Sequence, residues 1–487
     1  MVCGAKPYAL RRYSLECHFA HPEGAKQFPA AEEPSGLSER LKIVEGKIAS
    51  SHFKRGGNKM RTAFQALLVG LFLLGLVAGC VHPSVSPASA EVAQSNLARE
   101  MSPDVPAQDL RELVRGNSAF AFDLYQALRE QKSGNFFYSP LSISIALAMT
   151  WAGARGETER EMAAVLHFTL PQERIHPAFN ALDLELAQRG QSKEGQGLRL
   201  HLANAIWGQR GYRFLPQFLD TLARNYGAGL RLLDFKGNPE AARKAINDWV
   251  SERTEGRIPD LIPEGVIDFL TRLVLTNAIY FKAAWAEPFD KNLTSDGPFY
   301  LLDGSQVLVP MMRQTTKLRY VKGDGFQAVE LPYEGGEVAM VILLPDMGRF
   351  EEFERSLNAE QVEEILGKLE YHEVILRMPR FRVESAFRLA QTLAGMGMPS
   401  AFQPGQADFS GMDGTRNLYI SAVLHKAFVS VDEAGTEAAA ATAAVVKITA
   451  LPSMVVEITV NRPFIFLIRD RLTGSILFIG RVVNPGS

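Results

Sequence analysis

Cysteine is scarce in this sequence and is confined to one end of the chain. The 487 residues include three cysteines, which are Cys3, Cys17 and Cys80. Because none follows Cys80, the main part of the chain can form no disulfide and carries no thiol chemistry. Disulfide-stapled scaffolds and thiol-dependent enzymes are therefore excluded.

The chain also has almost no net charge and lacks the common catalytic motifs. Its 52 basic and 54 acidic residues give a formal net charge of -2, which provides no indication of a nucleic-acid partner. It contains no Gly-x-Ser-x-Gly elbow, no His-Glu-x-x-His motif and no phosphate-binding loop. We expect no catalytic residues, no metal site and no cofactor in a protein of ordinary globular composition.

The most informative segment is an alanine-rich run at residues 431–452. Alanine favours helices, but this run has no apolar stripe of period 3.6 and ends in β-branched residues that favour strands. With a period of two, one face carries only small or β-branched uncharged residues. Such a segment can be an exposed loop and can also be buried as a central strand. The residues of that face are Thr436, Ala438, Ala440, Thr442, Ala444, Val446 and Ile448.

A loop that is able to become a central strand resembles the reactive-centre loop of the serpins. Residues 433–440 are similar to the inhibitory hinge of that family, residues 460–466 to its C-terminal signature, and residues 480–485 to its usual ending. All three motifs occur in the family's order and at fitting spacing. The chain is therefore identified as a member of the serpin family over roughly residues 107–487.

The resemblance implies the fold class α+β, with about eight or nine helices packed around three β-sheets and an exposed reactive-centre loop. The sequence pattern agrees, since residues 273–282 and 338–345 are mostly apolar and predict buried strands. No internal repeat and no linker-like change of composition follows residue 110. We therefore predict one domain over residues 107–487.

An apolar segment near the N-terminus is typical of a secretion signal. Residues 66–78 follow Met60, whose neighbours are Lys59 and Arg61, and are too short to favour a membrane span. The segment ends in Val-Ala-Gly-Cys80, which resembles a bacterial lipobox, in which the cysteine is lipidated and becomes the new N-terminus. A plain secretory signal and an uncleaved anchor are the alternatives.

These patterns complete the division of the chain. Residues 1–59 form an upstream segment that we expect to be absent from the mature protein, and residues 60–80 form a lipoprotein-type signal peptide. Residues 81–106, rich in Ser, Ala and Pro, are predicted to be a flexible tether. The protein would then be extracytoplasmic, either anchored to the membrane of the cell envelope through Cys80 or secreted.

The resemblance implies an inhibitor of serine proteases rather than an enzyme. In the family, the protease attacks the loop and forms an acyl-enzyme, and the upstream half of the loop then inserts into the main sheet, here residues 435–448. The inserting face must be uncharged, because an unpaired buried charge costs several kcal/mol. The hinge residues that the resemblance assigns are Glu433, Gly435, Thr436, Ala438, Ala440 and Thr442.

The reactive bond is predicted at Thr449–Ala450, counting from Gly435 by the family's usual hinge length. Lys447 would suit a trypsin-like protease but leaves the inserting segment short, and Leu451 is the competitor on the long side. Small or β-branched residues around the bond favour elastase-like or subtilisin-like serine proteases as partners. Cysteine proteases are a second target class, and we expect a monomer.

Five further residues match the family's sheet-opening region. Trp285 matches the position called the breach, where the loop first enters the sheet. The alternative to a role in sheet opening is that the five residues are hydrogen-bonded buried polar groups, a helix cap and a core tryptophan. The two interpretations are compatible, since hydrogen bonds among these buried groups would hold the sheet closed until insertion. The residues that match the neighbouring shutter are Ser139, Ser142, Asn277 and His425.

Two alternatives come from other functional classes. A non-inhibitory serpin could act as a surface binding module, although such members usually carry a charged, bulky or proline-bearing hinge. A surface lipoprotein could use a serpin shell for adhesion only. Heating after loop cleavage separates both from an inhibitor, because only a loop that inserts should raise the melting temperature greatly.

We predict that Cys80 is the lipidated N-terminal residue of the mature protein. Cys80→Ala should release the protein from the membrane fraction, because the thiol that carries the lipid is lost. Ser84→Ala, a few residues downstream, should leave the anchor in place. Intact-mass spectrometry of protein from a native membrane fraction measures the lipid, and peptides from residues 1–59 in the mature protein would contradict the prediction.

Overall fold

The computed structural model describes residues 90–189, 199–436 and 455–486. Within these ranges the chain forms ten α-helices and two hydrogen-bonded β-sheets, so the α+β class is confirmed. The helices are α1 (Ala107–Gln131), α2 (Pro140–Trp151), α3 (Gly156–Val165), α4 (Gln172–Leu186), α5 (Pro216–Tyr226), α6 (Pro239–Arg253), α7 (Phe350–Ser356), α8 (Ala359–Gly367), α9 (Ala390–Met396) and α10 (Ser410–Asp413).

The main sheet has seven strands. Strands β5 and β12 pair in parallel at its centre, and the two-residue strand β13 lies between them at one end. In spatial order the strands are β1 (Glu91–Ala93), β4 (Leu230–Leu233), β3 (Arg199–Gln209), β5 (Leu273–Ala284), β13 (Gly435–Thr436), β12 (Ile420–Val431) and β11 (Phe381–Arg388).

The second sheet has nine strands and is continuous through one long strand, β7. The first part of β7 pairs with β6 and its last part pairs with β8, while β10 runs along most of its length. In spatial order the path is β14 (Val456–Thr459), β10 (Glu370–Pro379), β7 (Gln306–Gly323), β8 (Phe326–Pro332), β9 (Val338–Pro345), β15 (Phe464–Asp470), β16 (Ile476–Val482) and β2 (Phe136–Tyr138), with β6 (Ser295–Tyr300) beside β7.

The expected count of three sheets and about eight or nine helices is therefore corrected in detail. The described residues form two sheets because the 18-residue strand β7 pairs with β6 and β10 and also with β8. It therefore joins two groups of strands into one sheet. They form ten helices when the four-residue helix α10 is included. A strand this long can pair with different neighbours at its two ends, because each residue extends it by about 3.3 Å.

Helix α2 is the element that places the polar network of the main sheet. Its side chains are apolar almost all round, and all but Ile145 are buried, so the helix lies inside the molecule. Ser139 caps it by accepting a hydrogen bond from the Ser142 amide at 3.2 Å, and Pro140 occupies the first helical position. The cap holds Ser139 and Ser142 at the face of the sheet.

The predicted flexible tether at residues 81–106 is wrong for its described part. Strand β1 pairs with β4 at the edge of the main sheet. Further on, Arg99 donates hydrogen bonds to Asn180 at 2.8 Å and to Asp183 at 2.6 Å, both on α4. The Ser, Ala and Pro composition did not reveal this docking, because the partners of the segment are distant in sequence.

Among the described residues, none of the helices combines the length and the apolar character that crossing a membrane requires.

We predict that Arg99→Ala lowers the free energy of unfolding by about 1–2 kcal/mol, because it removes two charge-assisted bonds that fix the N-terminal segment. Urea unfolding at neutral pH measures the change. Arg160→Ala is the matched control, since the Arg160–Glu157 pair is exposed on both sides, at 70% and 64%, and such pairs contribute little. Equal effects of the two variants would show that the segment does not stabilise the domain.

Candidate functional site

The centre of the main sheet contains a buried polar network across the seam between β5 and β12. His425 on β12 and Asn277 on β5 are direct cross-strand neighbours, and both are buried. The backbone N–H of Ser139 donates to Nε2 of His425 at 3.2 Å. Nε2 is therefore an acceptor, so Nδ1 carries the proton and donates it to Oδ1 of Asn277. The seam is thus closed by a side-chain hydrogen bond as well as by backbone pairing.

The network continues from β5 to helix α2 and strand β3. The amide nitrogen of Asn277 donates to Ser142 Oγ and, at 2.6 Å, to Oδ1 of Asn204. Ser142 Oγ donates to the same Asn204 oxygen at 2.9 Å. The four residues predicted from the resemblance to lie together, Ser139, Ser142, Asn277 and His425, are therefore brought together. Asn204 was not predicted, although a polar residue inside the otherwise apolar stretch 202–207 is a signal that could have identified it.

His425 is neutral in this environment. Burial lowers the pKa of His425 to about 3, although its bond with Asn277 acts in the opposite direction. The imidazole ring also stacks on Phe387, with ring centroids 6.2 Å apart. A neutral, singly protonated ring is the form that can both accept from Ser139 and donate to Asn277.

Trp285 lies at the end of the seam where β13 enters the sheet. Its indole ring stacks on Tyr333, with centroids 4.6 Å apart, and its Nε1–H donates to the Asp432 carbonyl at 2.9 Å. The backbone N–H of Trp285 donates to the carbonyl of Ala434 at 3.0 Å. Trp285 therefore holds the turn between β12 and β13.

Glu433 is buried in this turn and is paired. Its carboxylate accepts from Arg380 Nε at 2.7 Å and from Thr294 Oγ1 at 2.6 Å. Burial raises the pKa of Glu433, but the bonds from Arg380 and Thr294 outweigh it and hold the pKa below its usual value. Neither Arg380 nor Thr294 was predicted, because nothing in their local sequence indicates a partner so distant in the chain.

Gly435 and Thr436 form β13, and they already lie between β5 and β12. A Cβ at Gly435 would lie 2.2 Å from the carbonyl oxygen of Ala283, and φ is +147°, so only glycine fits. Thr436 is fully buried, and its hydroxyl is 2.9 Å from the hydroxyl of Tyr333. The loop was expected to be exposed, but its first hinge residues are inserted, since the tight turn after β12 directs the chain back into the sheet.

The remaining predicted site residues lie outside the described residues. They are Ala438, Ala440, Thr442, the reactive bond Thr449–Ala450, and Cys80. In the described ranges, no group of three or more His, Cys, Asp or Glu side chains is placed to hold a metal ion.

These features define a class of protein in which a short strand, β13, lies between the two central strands of its own main sheet at one end of their seam. The family described as serpin (serine protease inhibitor) matches residues 115–485. The human leukocyte elastase inhibitor is 41% identical over 386 residues, which cover 77% of this chain and 100% of that protein.

An uncharacterized serpin-like protein of Thermococcus kodakarensis is 40% identical over 435 residues, which cover 86% of this chain and 99% of that protein. The thermophilic serpin tengpin in its native state aligns with a TM-score of 0.71 and 27% identity, covering 81% of this chain and all of that one. The chain belongs to the serpin family.

We predict that the buried histidines make the protein less stable as the pH falls. His425 and His176 both have a folded pKa of about 3, because of burial, against an ordinary value of 6.5. The unfolded chain therefore binds more protons between these values. The free energy of unfolding should fall as pH drops from about 6.5 towards 3, by about 1.4 kcal/mol per pH unit for each histidine.

Urea unfolding at several pH values between about 6 and 4 measures this slope. His425→Gln should reduce the slope of unfolding free energy against pH by the contribution of one histidine. His176→Gln, the matched buried control, should reduce it by a similar amount. A slope unaffected by His425→Gln would mean that the ring is not neutral in the folded protein.

Proposed function

We propose that this protein inhibits serine proteases by the suicide-substrate mechanism of the serpins. The observation that carries the proposal is the position of β13. Both of its residues pair with β5, and Thr436 also pairs with β12 on the other side. Elsewhere β5 and β12 pair directly with each other. The loop therefore starts at the point from which continued insertion would separate these two strands.

The first step is attack of the protease serine on the scissile carbonyl, which gives an acyl-enzyme and releases the downstream amine. The upstream part of the loop is then free, and residues 435–448 can follow β13 into the seam. Insertion of about 14 residues would form a strand of roughly 45 Å. Each net hydrogen bond gained with β5 and β12 contributes about 1 kcal/mol.

The second step requires that the seam opens at His425 and Asn277. Their hydrogen bond joins the two strands that must separate, so it opposes insertion until the new strand supplies replacement partners. The parallel pairing of β5 and β12 is replaced by two antiparallel pairings, the arrangement that β13 already has with both. Antiparallel pairing is slightly more stable per residue, which favours insertion.

The third step is trapping of the acyl-enzyme. The protease is covalently attached at the end of the inserting segment and is carried along with it. Deacylation needs accurately placed oxyanion-hole donors, and distortion of the protease removes them. The protein thus acts as an inhibitor and not as an enzyme.

Elastase-like or subtilisin-like serine proteases are the proposed targets, with Thr449–Ala450 as the reactive bond. The small and β-branched residues around that bond and the similarity to a leukocyte elastase inhibitor support this choice. We further propose a monomer that is anchored to the cell envelope by lipid on Cys80 or is secreted. The lipobox-like sequence supports that location.

We predict that mixing the protein with pancreatic elastase or subtilisin gives an adduct that survives SDS, together with a C-terminal peptide that begins at Ala450. Mass spectrometry of the peptide identifies the bond. A start at Ile448 would move the site to Lys447 and favour trypsin-like proteases, and a start at Pro452 would move it to Leu451 and favour chymotrypsin-like ones. Clean cleavage without an adduct, across serine and cysteine proteases, would overturn inhibition and leave a binding module.

The variant Thr436→Arg tests the insertion step itself. It places a guanidinium at a fully buried position against Tyr333, so the loop should be cleaved without forming the adduct. Thr315→Arg makes the same change at an exposed position of β7 and should inhibit like the wild type. If Thr436→Arg trapped protease as efficiently as Thr315→Arg, insertion would not be the mechanism.

A further inference from the structure

The segment between α6 and β5 ends in a turn that carries two exposed apolar side chains next to each other. Phe269 is 62% exposed and Leu270 is 51% exposed. In the described ranges of the chain, they are the only large exposed apolar residues that are consecutive in sequence. Exposing two such side chains together is unfavourable in water, and contiguous exposed apolar surface marks an interaction site.

Hydrogen bonds hold the Phe269–Leu270 turn in place and leave both apolar side chains outside. Asp268 Oδ1 accepts from the Leu270 N–H at 2.9 Å and from the Thr271 hydroxyl at 3.0 Å. Tyr419, directly before β12, donates its hydroxyl to the carbonyl of Leu270 at 2.5 Å. The two side chains are therefore presented on a fixed backbone, so little conformational entropy would be lost when they bind a partner.

An apolar groove continues from the Phe269–Leu270 turn. Its volume is about 360 Å³, and it lies between the turn, α9 and the start of β12. Among the residues that line it, Val266, Phe402 and Tyr419 extend the apolar surface beyond Leu270. The apolar surface at this end of the main sheet is therefore wider than the turn itself.

The N-terminal segment enters the main sheet at the same end. Glu91 on β1 pairs with Leu232 on β4, and Leu232 pairs with Gly208 on β3. Gly208 in turn pairs with Leu273, the first residue of β5. Glu91 and the turn that precedes Leu273 therefore lie at one end of the sheet, separated sideways by three strand spacings, or about 14 Å.

The reactive loop begins at the opposite end of the same sheet. Gly435 pairs with Ala284, the last of the 12 residues of β5, so this end is about 36 Å from the start of the strand. Cys80 lies eleven positions before Glu91, and an extended chain between them spans at most about 40 Å. A lipid on Cys80 would therefore keep the end that carries the apolar turn within reach of the membrane.

We propose that the Phe269–Leu270 turn contacts the membrane and buries its two apolar side chains at the lipid–water interface when the chain is anchored through Cys80. Aromatic and aliphatic side chains are favourable at this depth, and stable attachment combines a lipid with a second contact. The contact would orient the main sheet so that the reactive loop points away from the membrane, where a protease can approach it. The proposal rests on the proposed lipid anchor and not on the mechanism of inhibition.

The variant Phe269→Trp tests the contact directly. The mature lipidated chain is purified from membranes and reconstituted into phosphatidylcholine vesicles, with and without bromine on the acyl chains, and tryptophan fluorescence is compared. The four tryptophans of the wild type are buried or partly buried in the domain, so bromine should quench them little. We expect bromine to quench the variant at least twofold more than the wild type, because the new indole lies among the lipids.

Leu308→Trp is the matched control at the other end of the molecule. Leu308 is 73% exposed on β7. It lies near the hinge, since the carbonyl of Pro310 accepts from the N–H of Arg380 at 3.0 Å and Arg380 pairs with Glu433. Bromine should therefore quench Leu308→Trp no more than the wild type.

A second substitution tests the apolar character of the contact. Leu270→Asp, added to Phe269→Trp, should reduce the bromine effect at least twofold, because a carboxylate is unfavourable at the lipid interface. Leu302→Asp, added in the same way, should leave the effect unchanged, since Leu302 is 48% exposed in the turn between β6 and β7. Circular dichroism verifies that each variant is folded.

Flotation of the vesicles distinguishes the possible failures. If the protein floats with the vesicles and Phe269→Trp is quenched no more than Leu308→Trp, the membrane contact is overturned while the anchor stands. If the protein does not float, the anchor fails and the proposal fails with it. Absent quenching together with dimers that Leu270→Asp abolishes would assign the turn to a second copy and would also overturn the proposal. Adduct formation with pancreatic elastase, measured on the same samples, tests inhibition separately.

Discussion

The rest of the structure depends on the hydrogen bond between His425 and Asn277, which closes the seam between the two central strands of the main sheet. Both residues are buried, so water does not compete for their bond in the closed sheet. Breaking the bond without replacement leaves two unsatisfied polar groups, at about 1–3 kcal/mol each. Helix α2 supports the arrangement through Ser139 and Ser142, which explains why so apolar a helix begins with two buried serines.

The same seam is already open at the end where β13 lies between β5 and β12. Thr436 occupies a position between β5 and β12, and Trp285, Tyr333 and the Glu433–Arg380 pair fix the turn that brings it there. Two opposing arrangements thus meet along one pair of strands. Polar side chains hold the centre closed, whereas a tight turn and an inserted threonine hold the end open. Insertion would extend the second arrangement at the expense of the first.

The net charge of the chain does not show where side chains of like charge come together in the fold. The chain has nearly equal numbers of acidic and basic residues, so its net charge provides no indication of a nucleic-acid partner. Folding brings together arginines from α1, β7 and the end of β15, which are far apart in the sequence. Local charge density depends on which residues meet, and a sum over the chain does not contain that information.

The sequence by itself determined the family, the α+β class, and four of the five residues of the buried polar network, all but Asn204. Three motifs in fixed order identify the family, and helix α2 and the apolar strands are visible as local patterns. Only the tertiary structure decided that residues 91–93 join the main sheet, that Thr436 is already inserted, and that Glu433 pairs with Arg380. The physical reason is the separation of the interacting residues along the sequence. Caps, turns and periodicity act between residues a few positions apart, whereas these contacts join segments separated by tens to hundreds of residues, and only the folded chain determines which of them meet.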